Sequence, residues 1–593
     1  MTAEWGAGTV RGGRYFELML TTKETRLGLL LLLLPLTALA VMIFNLPFTL
    51  DNDFYYHLKS GELMVHWGHL IRTDVFTYTA RGTPEETHSW LSQIIFYLVY
   101  NAFGETGMRL LELASLSLAM GMVFRFVWLR TREPVFAAAV AACALLFLRG
   151  AITMRPLFLG VGLLYFILLG CFSPNEPLSP RKLSVVFLLT VLWANFHPSA
   201  LILIPVSLLF SASQLVGFWE DRNKGEGVGL WRSKRLLSIL SPVVIIIALM
   251  ITPNYYRLFL QAYQIQHTGP MMQVNEWRPI ALVSAFRPFR SWSHVRRALD
   301  FDSISMLVGL FALFLFFVLE RKRKLSEILF LGGIGGLFFL LPFTAMRHLP
   351  NAFLGFALLA PSLGLALRDA VPFKRLPTAW LGFCIVGLFL NLANTDLYKT
   401  QDAKLSVEQA AGILASSGVK GNIFNEFDWG HYLSFRLYPE CLIAFDNRAS
   451  VNEKALAKII SRIRASRGMK VGKLVSAFPE TDILVVQDGE RFEQVFDPAE
   501  WLLIFENDTA IVALKKNSRN QDNLKKIVKY YASEGVPFDP RKGYDSFGVH
   551  LARPNWFWKH QEIGVAGSWP TPDVTAGAQG ILNSYLEQRN ITL

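Results

Sequence analysis

Charge is scarce in this chain: 18% of its residues are Asp, Glu, Lys or Arg, 52% are hydrophobic, and the mean hydropathy is +0.33. A charged fraction so far below the usual quarter excludes a disordered or collagen-like chain and points to lipid as the solvent for much of the sequence. Cysteine is equally scarce. Cys143, Cys171, Cys384 and Cys441 are scattered, and three of them fall inside apolar runs, which excludes a disulfide framework or a zinc knuckle. The sequence has no P-loop, no Gly-rich dinucleotide fingerprint and no nucleophile elbow. It also lacks internal repeats and low-complexity segments.

What is present in quantity is apolar sequence in long stretches. Over 593 residues, runs begin near positions 27, 107, 135, 156, 183, 199, 236, 303, 326, 350 and 377. Most reach the roughly 17 to 25 residues that cross a hydrocarbon core, which predicts about 11 spans, all before residue 395. The first run, Leu27 to Leu50, contains Ala38-Leu39-Ala40, a mimic of a cleavage site, but its apolar character continues well beyond, so it reads as an uncleaved anchor. Lys and Arg set the orientation because they favour the cytoplasmic side. With the N-terminus inside, inner segments hold 21 Lys/Arg in 74 residues and outer segments 12 in 118. The expected topology is therefore N-terminus in and C-terminus out. Its weakest point is Trp193-Ala194-Asn195-Phe196-His197-Pro198, where two spans need a very tight turn. The net charge of +12 is placed by the same count: residues 396–593 hold 24 basic and 24 acidic residues, so the excess belongs to the membrane half. It is a topology signal, not the footprint of a nucleic-acid partner.

From Asp396 the pattern changes to short β-type runs between amphipathic helical stretches. Runs at 421–425, 442–446 and 483–486 read as buried strands, 405–416, 429–437 and 452–466 as helices, and 501–505 with 510–514 as a hairpin. The expected fold is an α-helical polytopic membrane domain, residues 1–395, whose outer loop 51–105 carries the site. An extracytoplasmic α/β domain follows at 396–517. A C-terminal extension, 518–593, opens with a polar helix to about Tyr531 and contains Trp556, Trp558 and Trp569.

The loop after the first apolar run is the richest in chemistry. Asp51 and Asp53 stand one residue apart, a spacing that lets two carboxylates share a divalent cation or split into one charged and one protonated group. Either state suits general-base activation of an acceptor hydroxyl or amine. Asp is also a favoured helix cap, which explains the pair without chemistry. Around it lie His57, His66, His69 and His88 with Tyr55, Tyr56, Trp67 and Trp90, groups that stack on sugar rings and bond their hydroxyls. His57 and His88 stand beside aromatic residues at the two ends of the loop, whereas His66 and His69 read as wet surface residues.

These residues occur in a recognisable order: apolar helix, Asp51-x-Asp53, the Tyr55-Tyr56 pair, His57-Leu58, then Asp74-x-Phe76-x-Tyr78 and His88-x-Trp90-Leu91. Further along come Arg155-Pro156-x-Phe158, Trp193-x-Asn195-x-His197, Pro253-Asn254-Tyr255, Glu276-Trp277-x-Pro279, Arg347 with Pro350, and Asn425-x-x-Asp428-Trp429-Gly430-x-Tyr432-Leu433 followed by Asp446-x-Arg448. Over residues 27 to 515 the chain thus resembles a bacterial family of polytopic membrane proteins classed with the C-type (GT-C) glycosyltransferases. That class includes protein O-mannosyltransferases, aminoarabinose transferases and the catalytic subunit of oligosaccharyltransferase. The sequence departs from the family pattern at Ser89, often acidic there, and at Pro198, often Gly.

The resemblance implies transfer of a sugar from a polyprenyl-phosphate-linked donor, at the outer face of a bacterial inner membrane, to an extracytoplasmic glycan, lipid or protein. Asp53 would be the base and Asp51 a metal or acceptor contact. A lipid-linked donor presents its phosphate at headgroup level, so cations are needed at the outer ends of spans. Arg155 and Arg347, with His348 adjacent, occupy such positions, and a guanidinium fork suits phosphate. Snorkelling toward headgroups is the alternative for both. Tyr56, His57, His88, Trp90 and His197 would bind substrate, and Glu276 would bind substrate or complete a metal site with Asp51. Asn195 and His197 border the tight turn and are explained nearly as well by backbone satisfaction. Asp428, Trp429, Tyr432, Asp446 and Arg448 would bind acceptor or close over the site, or, with Asp446 and Arg448 paired, hold the α/β core. Two other classes stay open: a transporter or flippase of lipid-linked glycans, and a non-catalytic membrane scaffold.

Overall fold

A computed structural model describes residues 23–45, 52–85, 87–148, 154–226, 233–260, 263, 301–321, 323–345, 348–370, 407–446, 448, 475, 478–487, 497–507 and 509–561. The chain forms two compact units. One comprises Met1–Phe48 with Thr87–Asn394, the other Thr49–Glu86 with Thr395–Leu593.

The first unit is helical. Four of its helical stretches are long and apolar enough to cross a membrane: Arg26–Phe44, Trp90–Thr131, Pro198–Lys224 and Leu325–Phe343. Shorter apolar helices lie at Pro134–Ala144, Leu157–Cys171, Ser241–Met250, Gly309–Leu319 and Asn351–Leu365. This is a multi-pass membrane protein. The apolar run expected at 377 lies outside the described residues. Trp90–Thr131 starts well before the run expected at 107, because its 42 residues join two helices at Gly104, whose φ of 59° suits a residue without Cβ. At about 1.5 Å per residue it would be some 63 Å long if straight, twice a hydrocarbon core, so its first turns belong to what reads in the sequence as loop. The helical run also breaks within 193–198. The helix Pro180–Phe196 ends, His197 is extended (φ −163°, ψ 142°), and Pro198 opens a 3-10 turn before Leu203–Asp221. Proline fits there because the first helical N–H has no partner to lose.

The second unit is built on a five-stranded sheet. The strands are β1 Gly421–Asn425, β2 Cys441–Ile443, β3 Ile483–Gln487, β4 Trp501–Glu506 and β5 Ala510–Lys515, in the order β2-β1-β3-β5-β4. β2, β1 and β3 are parallel, while β5 runs antiparallel to both β3 and β4. Parallel neighbours need a crossover, which the helix Gly430–Leu437 supplies between β1 and β2. Phe424, Phe445, Leu484, Val486, Trp501 and Ile511 form the core beneath the sheet. β2 is shorter than the run 442–446 suggests. The Asn425 side chain accepts from Ala444 N–H and donates to the Phe445 carbonyl, replacing the strand ladder and turning the chain out after Ile443.

Two stretches outside the expected α/β domain join this unit. Residues 518–561 pack on the sheet: the helix Gln521–Glu534 buries Ile527 and Tyr531, and the Tyr531 hydroxyl donates to the Ile504 carbonyl at 2.6 Å. The loop after the first apolar helix joins through its backbone. Phe76 O accepts from Ile443 N–H and Tyr78 N–H donates to Ile443 O, both at 3.0 Å, so residues 76–78 extend the sheet along β2. Thr79 Oγ1 donates to the Ala444 carbonyl, and the Tyr78 hydroxyl meets Thr481 Oγ1 at 2.9 Å. The 452–466 helix expected from the sequence lies outside the described residues.

Candidate functional site

Asp53 lies in the first turn of the helix Asn52–Trp67, where its charge faces the positive end of the helix dipole. The helix is buried from Phe54 to Leu58. Tyr55 packs edge-on against Tyr432 with centroids 4.8 Å apart, and Tyr56 stacks on His431 at 5.1 Å, so the loop helix and the crossover helix Gly430–Leu437 interlock.

A buried guanidinium organises the polar groups of this contact. Arg448 grips Asp446 with Nε and Nη2, reaches Asp74 Oδ1 with Nη2 at 2.7 Å, and places Nη1 2.9 Å from Glu85 Oε2. Its five fixed donors suit it to bridge carboxylates in this way. Both faces of its plane are near rings, with the Tyr56 and Phe76 centroids 5.1 and 5.3 Å away. The Tyr56 hydroxyl donates to Glu85 Oε1 at 2.6 Å. Asp74 also shapes its own loop by accepting from the backbone N–H of Phe76 and Thr77.

Burial acts differently on these groups. For Asp446 burial pushes the carboxyl up, but the Arg448 guanidinium, then His431, overcome it and hold it below the usual carboxylate range. Glu85 is pushed up because burial outweighs the pull of Arg448 and Tyr56. Tyr56 is raised by burial and then by Glu85. Arg448 loses by burial and gains more from Asp446, Glu85 and Asp74, so it stays charged.

His431, 3% exposed, stands at the edge of this cluster. Its Nδ1 is 3.3 Å from Asp53 Oδ1 and its Nε2 is 3.8 Å from Asp446 Oδ1. The preceding Gly430 allows the close fit: a Cβ there would meet the Phe445 carbonyl at 2.5 Å and Asp446 Cβ at 2.8 Å. Asp53 differs from the other carboxylates in exposure. Its side chain is 25% exposed, against 0% for Asp74, 3% for Glu85 and 1% for Asp446.

Other expected site residues lie in the membrane unit, where some come together. Trp90 Nε1 donates to Asn195 Oδ1 at 2.8 Å, and Asn195 Nδ2 donates to the carbonyls of Val191 and Ile251. The rings of His88 and His197 meet edge to face at 6.4 Å. His197 Nδ1 accepts from Ser199 N–H, which leaves the proton of a neutral ring on Nε2. Asn195 and His197 thus satisfy backbone at the turn, as one of the two readings expects. Arg155 is half-buried just ahead of the helix Leu157–Tyr165, and its carbonyl accepts from Phe158 N–H. His348, half-buried, donates its backbone N–H to Ala345 O. His57 is buried, 9% exposed, on the loop helix. Ser89, at the position where an acid is expected, is 1% exposed.

Asp51, Glu276 and Arg347 lie outside the described residues. Among the described residues no group of three or more His, Cys, Asp or Glu side chains is set to hold a metal ion, and both oxygens of Asp446 are committed to Arg448. Sequence reasoning missed Glu85 and His431. Neither carries a local signal, since each takes its role from a partner hundreds of residues away.

No family model matches the chain, and no curated protein does. Solved structures do match. The archaeal oligosaccharyltransferase AglB from Archaeoglobus fulgidus, in complex with an inhibitory peptide and a dolichol-phosphate, is similar at 12% identity and a TM-score of 0.47, over 78% of this chain and 69% of that one. ArnT from Cupriavidus metallidurans bound to undecaprenyl phosphate is similar at 13% identity and a TM-score of 0.43, over 86% of this chain and 99% of that one. Both are GT-C glycosyltransferases, the class that the sequence resembles. At such identities and scores, what this chain does has to be argued from its own residues.

Proposed function

We propose that the protein is a membrane glycosyltransferase that moves a sugar from a polyprenyl-phosphate-linked donor to an extracytoplasmic glycan, lipid or protein, with Asp53 as general base. The observation that carries the reading is the division of labour among four carboxylates. Asp74, Glu85 and Asp446 are buried against one guanidinium, whereas Asp53 keeps a quarter of its side chain exposed beside them. A base must reach the proton it takes, and of these four Asp53 is the one open to a substrate.

In the reaction, Asp53 accepts the acceptor hydroxyl proton while that oxygen bonds to the sugar C1. The C1–O bond to phosphate breaks, and the polyprenyl phosphate leaves with the electron pair. Its leaving ability removes the need for a nucleotide. Arg155 and Arg347 would hold the phosphate, His348 would assist, and Tyr56, His57, His88, Trp90, His197 and Glu276 would line the substrate path. Asp51 would contact acceptor or, with Glu276, a divalent metal that helps to position it. About 11 spans in a bacterial inner membrane, with the N-terminus inside and the sheet unit outside, complete the proposal. A flippase would need charged or polar groups along a path through the bilayer. Glu327, one of the acidic residues in the apolar helices, is instead paired with Arg323 at 3.1 Å, which favours the enzyme.

The test is donor turnover by the purified full-length protein in detergent, with labelled polyprenyl-phosphate sugars, comparing wild type with Asp51→Asn and Asp53→Asn. Loss of turnover in Asp53→Asn is expected. Full activity in both variants would remove the catalytic assignment.

A further inference from the structure

We infer that His431 is the positioning residue of the proposed base: it holds the Asp53 carboxylate in register for proton transfer and couples it to the rigid Asp446–Arg448 pair. The inference rests on Asp53 being the base and adds the group that makes it an effective one.

A general base a quarter exposed works only when its carboxylate is held without rotational freedom. A small misplacement of a reacting group costs a large factor in rate. The ring that faces Asp53 has no such freedom. His431 is 3% exposed, sits in the first turn of Gly430–Leu437, and is stacked on Tyr56 with an interplanar angle of 25°. Its two nitrogens face two carboxylates, Nδ1 toward Asp53 Oδ1 at 3.3 Å and Nε2 toward Asp446 Oδ1 at 3.8 Å. Asp446 cannot move, because Arg448 holds both its oxygens and is itself tied to Asp74 and Glu85. The chain of contacts Arg448, Asp446, His431, Asp53 therefore runs from a locked buried ion cluster to the partly exposed carboxylate. A proton on Nδ1 would let the imidazole donate to Asp53 Oδ1 and fix the plane of the carboxylate once the two groups align. The pair stands at 3.3 Å without the alignment of a formed hydrogen bond, and catalytic contacts of this kind often tighten only when substrate is bound.

A core histidine with no link to the chemistry would be satisfied by backbone or by one structural partner. Here neither ring nitrogen has a conventional hydrogen bond among the described residues, and the shorter of its two polar contacts is to the partly exposed acid rather than to the buried one. That asymmetry separates a positioning role from a packing role.

The test uses full-length protein in detergent and a labelled polyprenyl-phosphate monosaccharide, following kcat and KM for the donor together with the thermal midpoint. His431→Phe keeps a ring against Tyr56 but removes the donor. His431→Asn keeps an amide N–H close to the place of Nδ1. The expected result is a loss in kcat of about tenfold to a hundredfold in His431→Phe, of the order that proton-transfer groups contribute, with donor KM and thermal midpoint little changed and most of the loss recovered in His431→Asn. In the Asp53→Asn background, His431→Phe should cost nothing further, since the ring acts only through Asp53. Wild-type kcat in His431→Phe while Asp53→Asn is inactive would overturn the inference and leave the base intact. Equal losses of kcat and thermal midpoint in both His431 variants would reduce the residue to packing and also overturn it. Full turnover in Asp53→Asn would instead remove the base itself.

Discussion

Arg448 donates to Asp74, 374 residues earlier in the chain, through Nη2 at 2.7 Å. With Glu85 and Asp446 completing its partners, one guanidinium ties the loop that follows the first apolar helix to the sheet that follows the membrane segment. Removing it takes the guanidinium away from three buried carboxylates. Arg448→Met should therefore destabilise the sheet unit by about 3–5 kcal/mol, the usual cost of breaking a buried ion cluster from one side. The change should appear as a lower thermal midpoint and as faster proteolysis within residues 68–85. An unchanged midpoint would mean that the backbone contacts of Phe76 and Tyr78 hold the loop by themselves.

The pH dependence of stability should have two opposed limbs. The Asp446 carboxyl is lowered in the folded protein, so its contribution is present above 3.8 and is lost as the pH falls through its folded-state value. Glu85 is raised, so its contribution is full below 4.5 and is lost as the pH rises through its folded-state value. Glu85→Gln keeps an acceptor for the Tyr56 hydroxyl and should flatten the profile on the side above 4.5. Asp446→Asn should flatten the acid side and cost stability at neutral pH. A Glu85→Gln profile parallel to wild type would contradict the shift.

Gly430 brings the crossover helix against the chain after β2. In Gly430→Ala the new Cβ would meet a backbone carbonyl at 2.5 Å, an atom that cannot swing aside. Overpacking of this kind costs roughly 1–3 kcal/mol. Because His431 is the next residue, donor turnover should fall along with the thermal midpoint. Wild-type values for both would mean that the helix moves off without consequence.

In the membrane unit, Asn195 serves Trp90 Nε1 and the carbonyls of Val191 and Ile251. Asn195→Leu should lower the thermal midpoint in detergent by an amount equivalent to about 1–3 kcal/mol, the cost of leaving a buried polar group unpaired. Turnover per folded molecule should change less than in Asp53→Asn. A variant of full stability and no turnover would instead make Asn195 a substrate contact.

What was legible in the sequence is what one-dimensional pattern encodes. Apolar length marks the helices Pro134–Leu148 and Phe301–Leu319, and short β-type runs bounded by turn residues mark β1, β3 and the β4–β5 hairpin. The pairing of Asp446 with Arg448 is also readable, since the two lie two residues apart. The rest depends on contacts that local pattern does not carry. β2 stops at Ile443 because a side chain, Asn425, takes over its ladder. The helix from Trp90 passes through Gly104 because glycine permits a φ of 59° inside an otherwise helical run. Glu85 sits in a turn-like stretch that reads as solvent-facing loop, and is buried only because Arg448 and Tyr56 close over it. His431 occupies the unassigned position between Gly430 and Tyr432, and has no chemical identity until Asp53 faces it.

The account stands most directly on the turnover of a labelled polyprenyl-phosphate sugar by purified Asp53→Asn, measured beside wild type at matched thermal midpoint. With Asp53 as the base, the variant should remain folded and lose about a hundredfold or more of kcat, the range that a general base contributes. A folded Asp53→Asn that turns over donor at the wild-type rate would contradict it.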